Sequence, residues 1–198
     1  SINGGRREIN WDTVGGTLGS DDLAGDFFNT TSPRGLLMST PGTRLKVSGD
    51  PGSGANLMED VTFTQWGPIE FEPFSGSKFF APMGSPITDI EFRIPGTTEV
   101  ACTRAFGSVF LDVDRGGQSY LEVALTTGEV RRFIAPVSTV KSKGMGFVGV
   151  RFPQGCIANV RIVAGDHPVD TGFQPAPFPD GVGIDDLIYA EPRPLSNQ

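Results

Sequence analysis

The sequence predicts an all-β protein, an antiparallel sandwich with at most one or two short helices. Three observations carry that prediction. Of 198 residues, 27 are Gly and 16 are Pro; both are penalised inside helices and favoured in turns. Apolar residues alternate with polar ones at a period of two in segment after segment, the pattern of strands with one buried face. Nowhere do apolar residues repeat at helical spacing for three clean turns.

Taken in order, the first strand candidate is residues 8–11, followed by a stretch at 18–28 with room for one short helix. Strands are expected at 35–39 and 44–48, before the turn cluster of residues 49–54, and again at 61–64. Ile90, Phe92 and Ile94 alternate with Asp89, Glu91 and Arg93. Residues 105–113 are apolar on both faces, as expected of an interior strand covered on both sides. Leu121, Val123 and Leu125 lead into Thr127-Gly128-Glu129, a hairpin turn joining 120–126 to 130–134. Residues 147–152, the alternating run around Val160 and Ile162, and residues 182–190 complete the set. No linker is long or polar enough to separate two cores, and no internal repeat is found, so residues 1–198 are expected to form a single domain.

Composition narrows the function. The formal net charge is −7, and no basic stripe of the kind that grips phosphates is present, so no nucleic-acid partner is expected. No apolar run approaches the roughly 20 residues a membrane-spanning helix needs, so no membrane span is expected in this chain. The single histidine, His167, excludes a site with two imidazoles, and no Gly-x-Ser-x-Gly elbow accompanies it. The chain is therefore expected not to be an enzyme. Cys102 and Cys156 are too few for a four-thiolate zinc site. They fit one disulfide in an oxidising compartment, or two buried thiols.

Three segments offer binding chemistry. Asp112-Val113-Asp114-Arg115-Gly116 begins like a calcium loop, but position 123 is Val where the helix-loop-helix form needs Glu. It reads better as a strand end entering a turn. In Val182-Gly183-Ile184-Asp185-Asp186-Leu187-Ile188-Tyr189, strict alternation puts Asp186 with Ile184 and Ile188, and Asp185 with Leu187 and Tyr189. A buried carboxylate in such company needs an arginine, backbone N–H donors or a hard cation such as Ca²⁺. Glu8, Asn10 and Asp12 offer further oxygens if the first and last strands pair, while Arg6 and Arg7 offer ion pairs instead. Phe63, Trp66, Phe71, Phe74, Phe79 and Phe80 are expected to fill core, except Trp66, whose neighbours Gln65 and Gly67 suit an exposed stacking platform.

Several segments resemble secreted bacterial proteins of the PEP-CTERM-associated type. They are the opening Asn3-Gly4-Gly5-Arg6-Arg7-Glu8-Ile9-Asn10-Trp11-Asp12, then Asp26-Phe27-Phe28-Asn29, Ser32-Pro33-Arg34-Gly35, residues 106–114, and the closing Ile184-Asp185-Asp186-Leu187-Ile188-Tyr189-Ala190-Glu191-Pro192. The same brackets are similar to jelly-roll domains in general, including MAM and carbohydrate-binding modules. That resemblance implies a jelly-roll sandwich, a secreted or cell-surface location, and a structural Ca²⁺ held by Asp12, Asp185 and Asp186. It implies no defined activity, since fold does not fix function.

The expectation drawn from residues and resemblance together is an exported, non-catalytic binding or surface-matrix module. Its expected ligand is polysaccharide or cell-surface glycan, with Trp66 as the platform. The alternatives are a purely structural or adhesive scaffold and, last, a glycan-active enzyme using carboxylates.

Overall fold

The computed structural model describes residues 5–15, 21–49, 71–139, 143–170 and 179–195. Fourteen strands and one helical turn, α1 (Phe27–Thr30), are found among them. One sheet contains β1 (Arg6–Ile9), β2 (Asp21–Leu23), β4 (Arg44–Val47), β5 (Phe80–Met83), β8 (Ala105–Leu111), β11 (Met145–Arg151) and β13 (Gly183–Ala190), in the order β11-β8-β13-β5-β4-β2 with β1 also on β13. The other contains β3 (Leu36–Ser39), β6 (Ile87–Arg93), β7 (Val100–Cys102), β9 (Tyr120–Leu125), β10 (Val130–Ile134), β12 (Ile157–Val163) and β14 (Arg193–Pro194). Its order is β10-β9-β12-β6-β7-β14, with β3 on β6. Every pairing between these strands is antiparallel. The all-β sandwich expected from the sequence is the fold.

Between the sheets lies a cluster that draws residues from Ile9 to Tyr189, including Phe92, Phe106, Phe110, Leu121, Ile162 and Leu187. Trp11, fully buried, stacks on Phe80 with ring centroids 4.7 Å apart. Side chains that large remove enough apolar surface from water to dominate the energetics of a core. The β9–β10 hairpin turns at Gly128, whose φ of 87° is a left-handed value that glycine adopts freely. Strand β8 lies between β11 and β13 and is buried along almost its whole length, as its two apolar faces require.

Two local departures from the expected pattern matter below. The helical turn sits at Phe27–Thr30, at the C-terminal limit of the stretch expected to hold it. In β13 the register to β8 shifts between Asp185 and Leu187. That bulge breaks strict alternation, so Ile184, Leu187 and Tyr189 all enter the inter-sheet core. The strand expected at 61–64 lies outside the described residues.

Cys102 and Cys156 form a disulfide with Cα atoms 5.6 Å apart. It ties β7 to the segment entering β12, beside paired hydrogen bonds between Thr103 and Ile157 of 3.0 and 2.6 Å.

Candidate functional site

The outer faces of the two sheets differ in chemistry. On the β6–β12–β9–β10 face, register places Asp89 opposite Arg161, Arg161 opposite Glu122, and Glu122 opposite Arg132. Arg161 grips Asp89 with two bonds of 2.7 and 3.0 Å, and Arg132 reaches Glu122 at 3.2 Å. Alternating charge across four strands gives a solvated surface whose hydrogen-bonding groups are largely engaged with one another.

The β1–β13–β8–β11 face is apolar by comparison. Along β11 the outward residues are Met145, Phe147, Gly149 and Arg151, and Phe147 is 56% exposed. Its ring leans across the cross-strand pair Gly149–Gly107. A methyl group added at either glycine would lie 2.6 Å from a ring carbon of Phe147. The ring therefore lies down on a bed that only glycine permits. Val109 and Ile188 flank it, and Phe74, also 56% exposed, stands beyond them. The result is a shallow trough, its two halves sharing Arg6, Phe147 and Ile188.

The three aspartates singled out from the sequence all bond one loop, and Asp186 lines the half of the trough that holds Phe74. β1 pairs with β13, placing Ile9 opposite Leu187, so the first and last long strands do come together. All three side chains grip residues 74–77. Asp185 accepts the Phe74 N–H at 2.5 Å and the Ser75 N–H at 3.3 Å on one oxygen, and the Asp186 N–H at 2.7 Å on the other. Asp186 accepts the Ser75 hydroxyl at 2.7 Å, and Asp12 accepts the Ser77 N–H at 2.8 Å. The bulge at Asp186 is what lets two neighbouring residues serve the same loop.

Burial pushes the Asp185 carboxyl up to about 7; the N–H bonds from Asp186 and Phe74 pull the other way, and the Asp186 charge pushes up again. Among the described residues no three His, Cys, Asp or Glu side chains form a group able to hold a metal ion. The atoms facing these carboxylates are N–H and O–H donors, whereas Ca²⁺ requires a cage of oxygens. Among the described residues these carboxylates serve as a clamp on the loop at residues 74–77.

A second aspartate knot lies just beyond the end of β8 and the start of β13. Asp180 accepts the N–H groups of Asp114 and Arg115, and Asp166 accepts the Asp180 N–H at 2.8 Å while pairing with Arg115 at 2.5 Å. The calcium-loop lookalike at residues 112–116 thus donates backbone hydrogens to a carboxylate. His167 is half-buried in the adjoining loop, its N–H 3.3 Å from the Asp180 carbonyl.

Phe71, Phe79 and Phe80 fill core as expected, but Phe74 stands exposed on the clamped loop. Trp66 and Phe63 lie outside the described residues. Phe147 does not stand out in the sequence, because a phenylalanine in a strand reads as core and a wet platform favours Trp or Tyr with a polar edge. A signal was present: in Gly146-Phe147-Val148-Gly149, the strand period puts Phe147 and Gly149 on one face with no side chain between the ring and the sheet.

No protein-family model and no curated protein matches this chain.

Proposed function

We propose that the chain is an exported, non-catalytic binding or surface-matrix module whose β1–β13–β8–β11 face takes carbohydrate. The observation that carries this reading is the Phe147 ring, exposed and laid over Gly107 and Gly149. An exposed apolar ring seated against two glycines, with charged groups at its margin, complements a pyranose. The C–H face of the sugar covers the ring while its hydroxyls reach the rim. Export is supported by the Cys102–Cys156 disulfide, since such bonds persist in oxidising compartments. The resemblance to secreted PEP-CTERM-associated proteins points the same way.

A glycan array with the wild-type chain, Phe147→Ala and Gly149→Ala is the test. Saturable binding that is lost in Phe147→Ala supports the reading. Gly149→Ala is the sharper probe, because the three atoms nearest its new methyl all belong to the Phe147 ring. It should raise the ring from its seat and weaken binding while every other residue of the trough is kept. Trp66→Ala runs beside them as the second candidate platform. Uniform silence across the array would favour a scaffold or adhesive domain without a small-molecule site.

A further inference from the structure

The trough is not electrically even, although the chain as a whole carries 23 acidic against 16 basic residues. Its half around Gly107 and Gly149 is lined by Arg6, Arg104, Arg151 and Arg193, with Glu191 as the one acidic residue. Glu191 is already engaged, bound by Arg7 through two hydrogen bonds of 2.7 Å. Arg6 pairs with Glu8 at 3.3 Å. Arg104, Arg151 and Arg193 have no ion-pair partner among the described residues. Their convergence follows from the topology: Arg151 pairs with Ala105 at the start of β8, next to Arg104, and Arg193 pairs with Cys102 on β7. The Phe152 N–H, donated to the Arg104 carbonyl at 2.8 Å, fixes that corner. Elsewhere on the sheets the half-buried Arg93 and the exposed Arg131, Arg132 and Arg161 each face a glutamate or aspartate. Three uncommitted guanidinium groups around one aromatic floor are therefore a local reversal of the protein's sign.

We infer that the ligand of this face is an acidic polysaccharide, one whose sugars carry carboxylates, with a pyranose on Phe147 and its acid groups against Arg104, Arg151 and Arg193. This rests on the carbohydrate reading above and narrows it. A guanidinium offers paired N–H donors in a plane, the geometry a carboxylate accepts best. The trough, about 550 Å³ in this half, falls within the roughly 300–1,000 Å³ usual for small-ligand sites. It is open along its length, which suits a chain passing through better than a compact molecule. An acidic protein segment would satisfy the arginines equally but gains nothing specific from a ring laid flat.

The test is calorimetric or gel-retardation binding of the full chain to polygalacturonate, to the neutral polymer dextran, and to poly-glutamate as a charge-only control. Polygalacturonate should bind at least about tenfold more tightly than either control, and the preference should shrink in about 0.5 M salt as the charges are screened. The pair Arg104→Gln and Arg151→Gln should lose about tenfold or more of that affinity. Equal binding of dextran and polygalacturonate, both through Phe147, would overturn the acidic ligand and leave the carbohydrate reading standing. Poly-glutamate binding as tightly as the polyuronate would overturn it in favour of an acidic protein partner. Failure of every polysaccharide would overturn both readings. Melting curves of each variant separate loss of binding from loss of fold.

Discussion

Replacing both Cys102 and Cys156 by Ala tests how far this sandwich depends on its one covalent cross-link. The two residues are 54 apart in sequence. In the chain-entropy account, a closed loop of that length removes about 14 cal/mol/K from the unfolded chain, or about 4 kcal/mol at 25 °C. The folded state should add little cost when the bond is removed, because the hydrogen bonds between Thr103 and Ile157 hold the same two segments side by side without it. The expected loss is therefore about 4 kcal/mol, which for a chain of this size corresponds to a fall in Tm of roughly 8–16 °C. Urea unfolding of the wild-type and double-Ala proteins measures the difference directly. A loss under about 1 kcal/mol would refute the reasoning, since residual structure in the unfolded chain typically shifts such a difference by only a few tenths of a kcal/mol. Mass analysis after non-reducing alkylation should find no alkylated thiol in the wild-type protein, and two labels would refute the bond itself.

Three further outcomes are expected. Burial raises Asp185 to about 7 and Asp180 to about 6, so the folded chain keeps protons that the unfolded chain, with Asp near 3.9, has lost. Stability should then fall as pH rises from about 4 to about 7 and level off above it; Tm measured across that window checks it, and a flat or rising curve for the wild type counts against it. Asp185→Asn should flatten part of the slope. Exhaustive chelation should leave the melting curve in place, as expected of carboxylates held by N–H donors, whereas a rise in Tm with added Ca²⁺ would restore the ion at Asp12, Asp185 and Asp186. Arg161→Gln should change stability by less than about 1 kcal/mol despite its two bonds to Asp89, because both partners are substantially exposed.

How much of this was legible in the sequence depended on how local each signal was. The Gly128 hairpin, the doubly buried β8 and the alternation of β6 follow from neighbouring residues alone, and the structure matches them. Strand β5 was not legible: Phe80-Ala81-Pro82-Met83 has no alternation and contains a proline. Proline is tolerated because β13 pairs with β5 only at Phe80, leaving no ladder bond to β13 at Pro82. The pairing of the first and last long strands was anticipated, yet the faces of Asp185 and Asp186 were not, because a bulge is decided by the fit of β13 to its partners. Phe147 presents the same difficulty. Half of its bed, Gly107, belongs to another strand, and only the β8–β11 register brings that glycine beneath the ring.

Those two non-local features together explain why this face takes the form it does. The bulge keeps Leu187 and Tyr189 in the core while freeing both carboxylates to fix the loop that bears Phe74. The glycine pair then lays Phe147 flat at the other side of the trough. A ring face of roughly 50 Å², covering a similar area of sugar, contributes about 2.5 kcal/mol at about 25 cal/mol per Å². That falls short of the roughly 4 kcal/mol that even millimolar binding requires. On the proposed reading the aromatic seat alone sets orientation without holding a ligand, and the arginines at its margin supply the remainder. Because their attraction is screened at physiological salt, a single sugar unit should bind weakly. A polymer presenting many acidic units along one chain gains through repeated local rebinding and through any second module on the same surface. An open trough with one ring and several guanidinium groups is suited to holding a matrix polymer in that way, as a weak contact made many times.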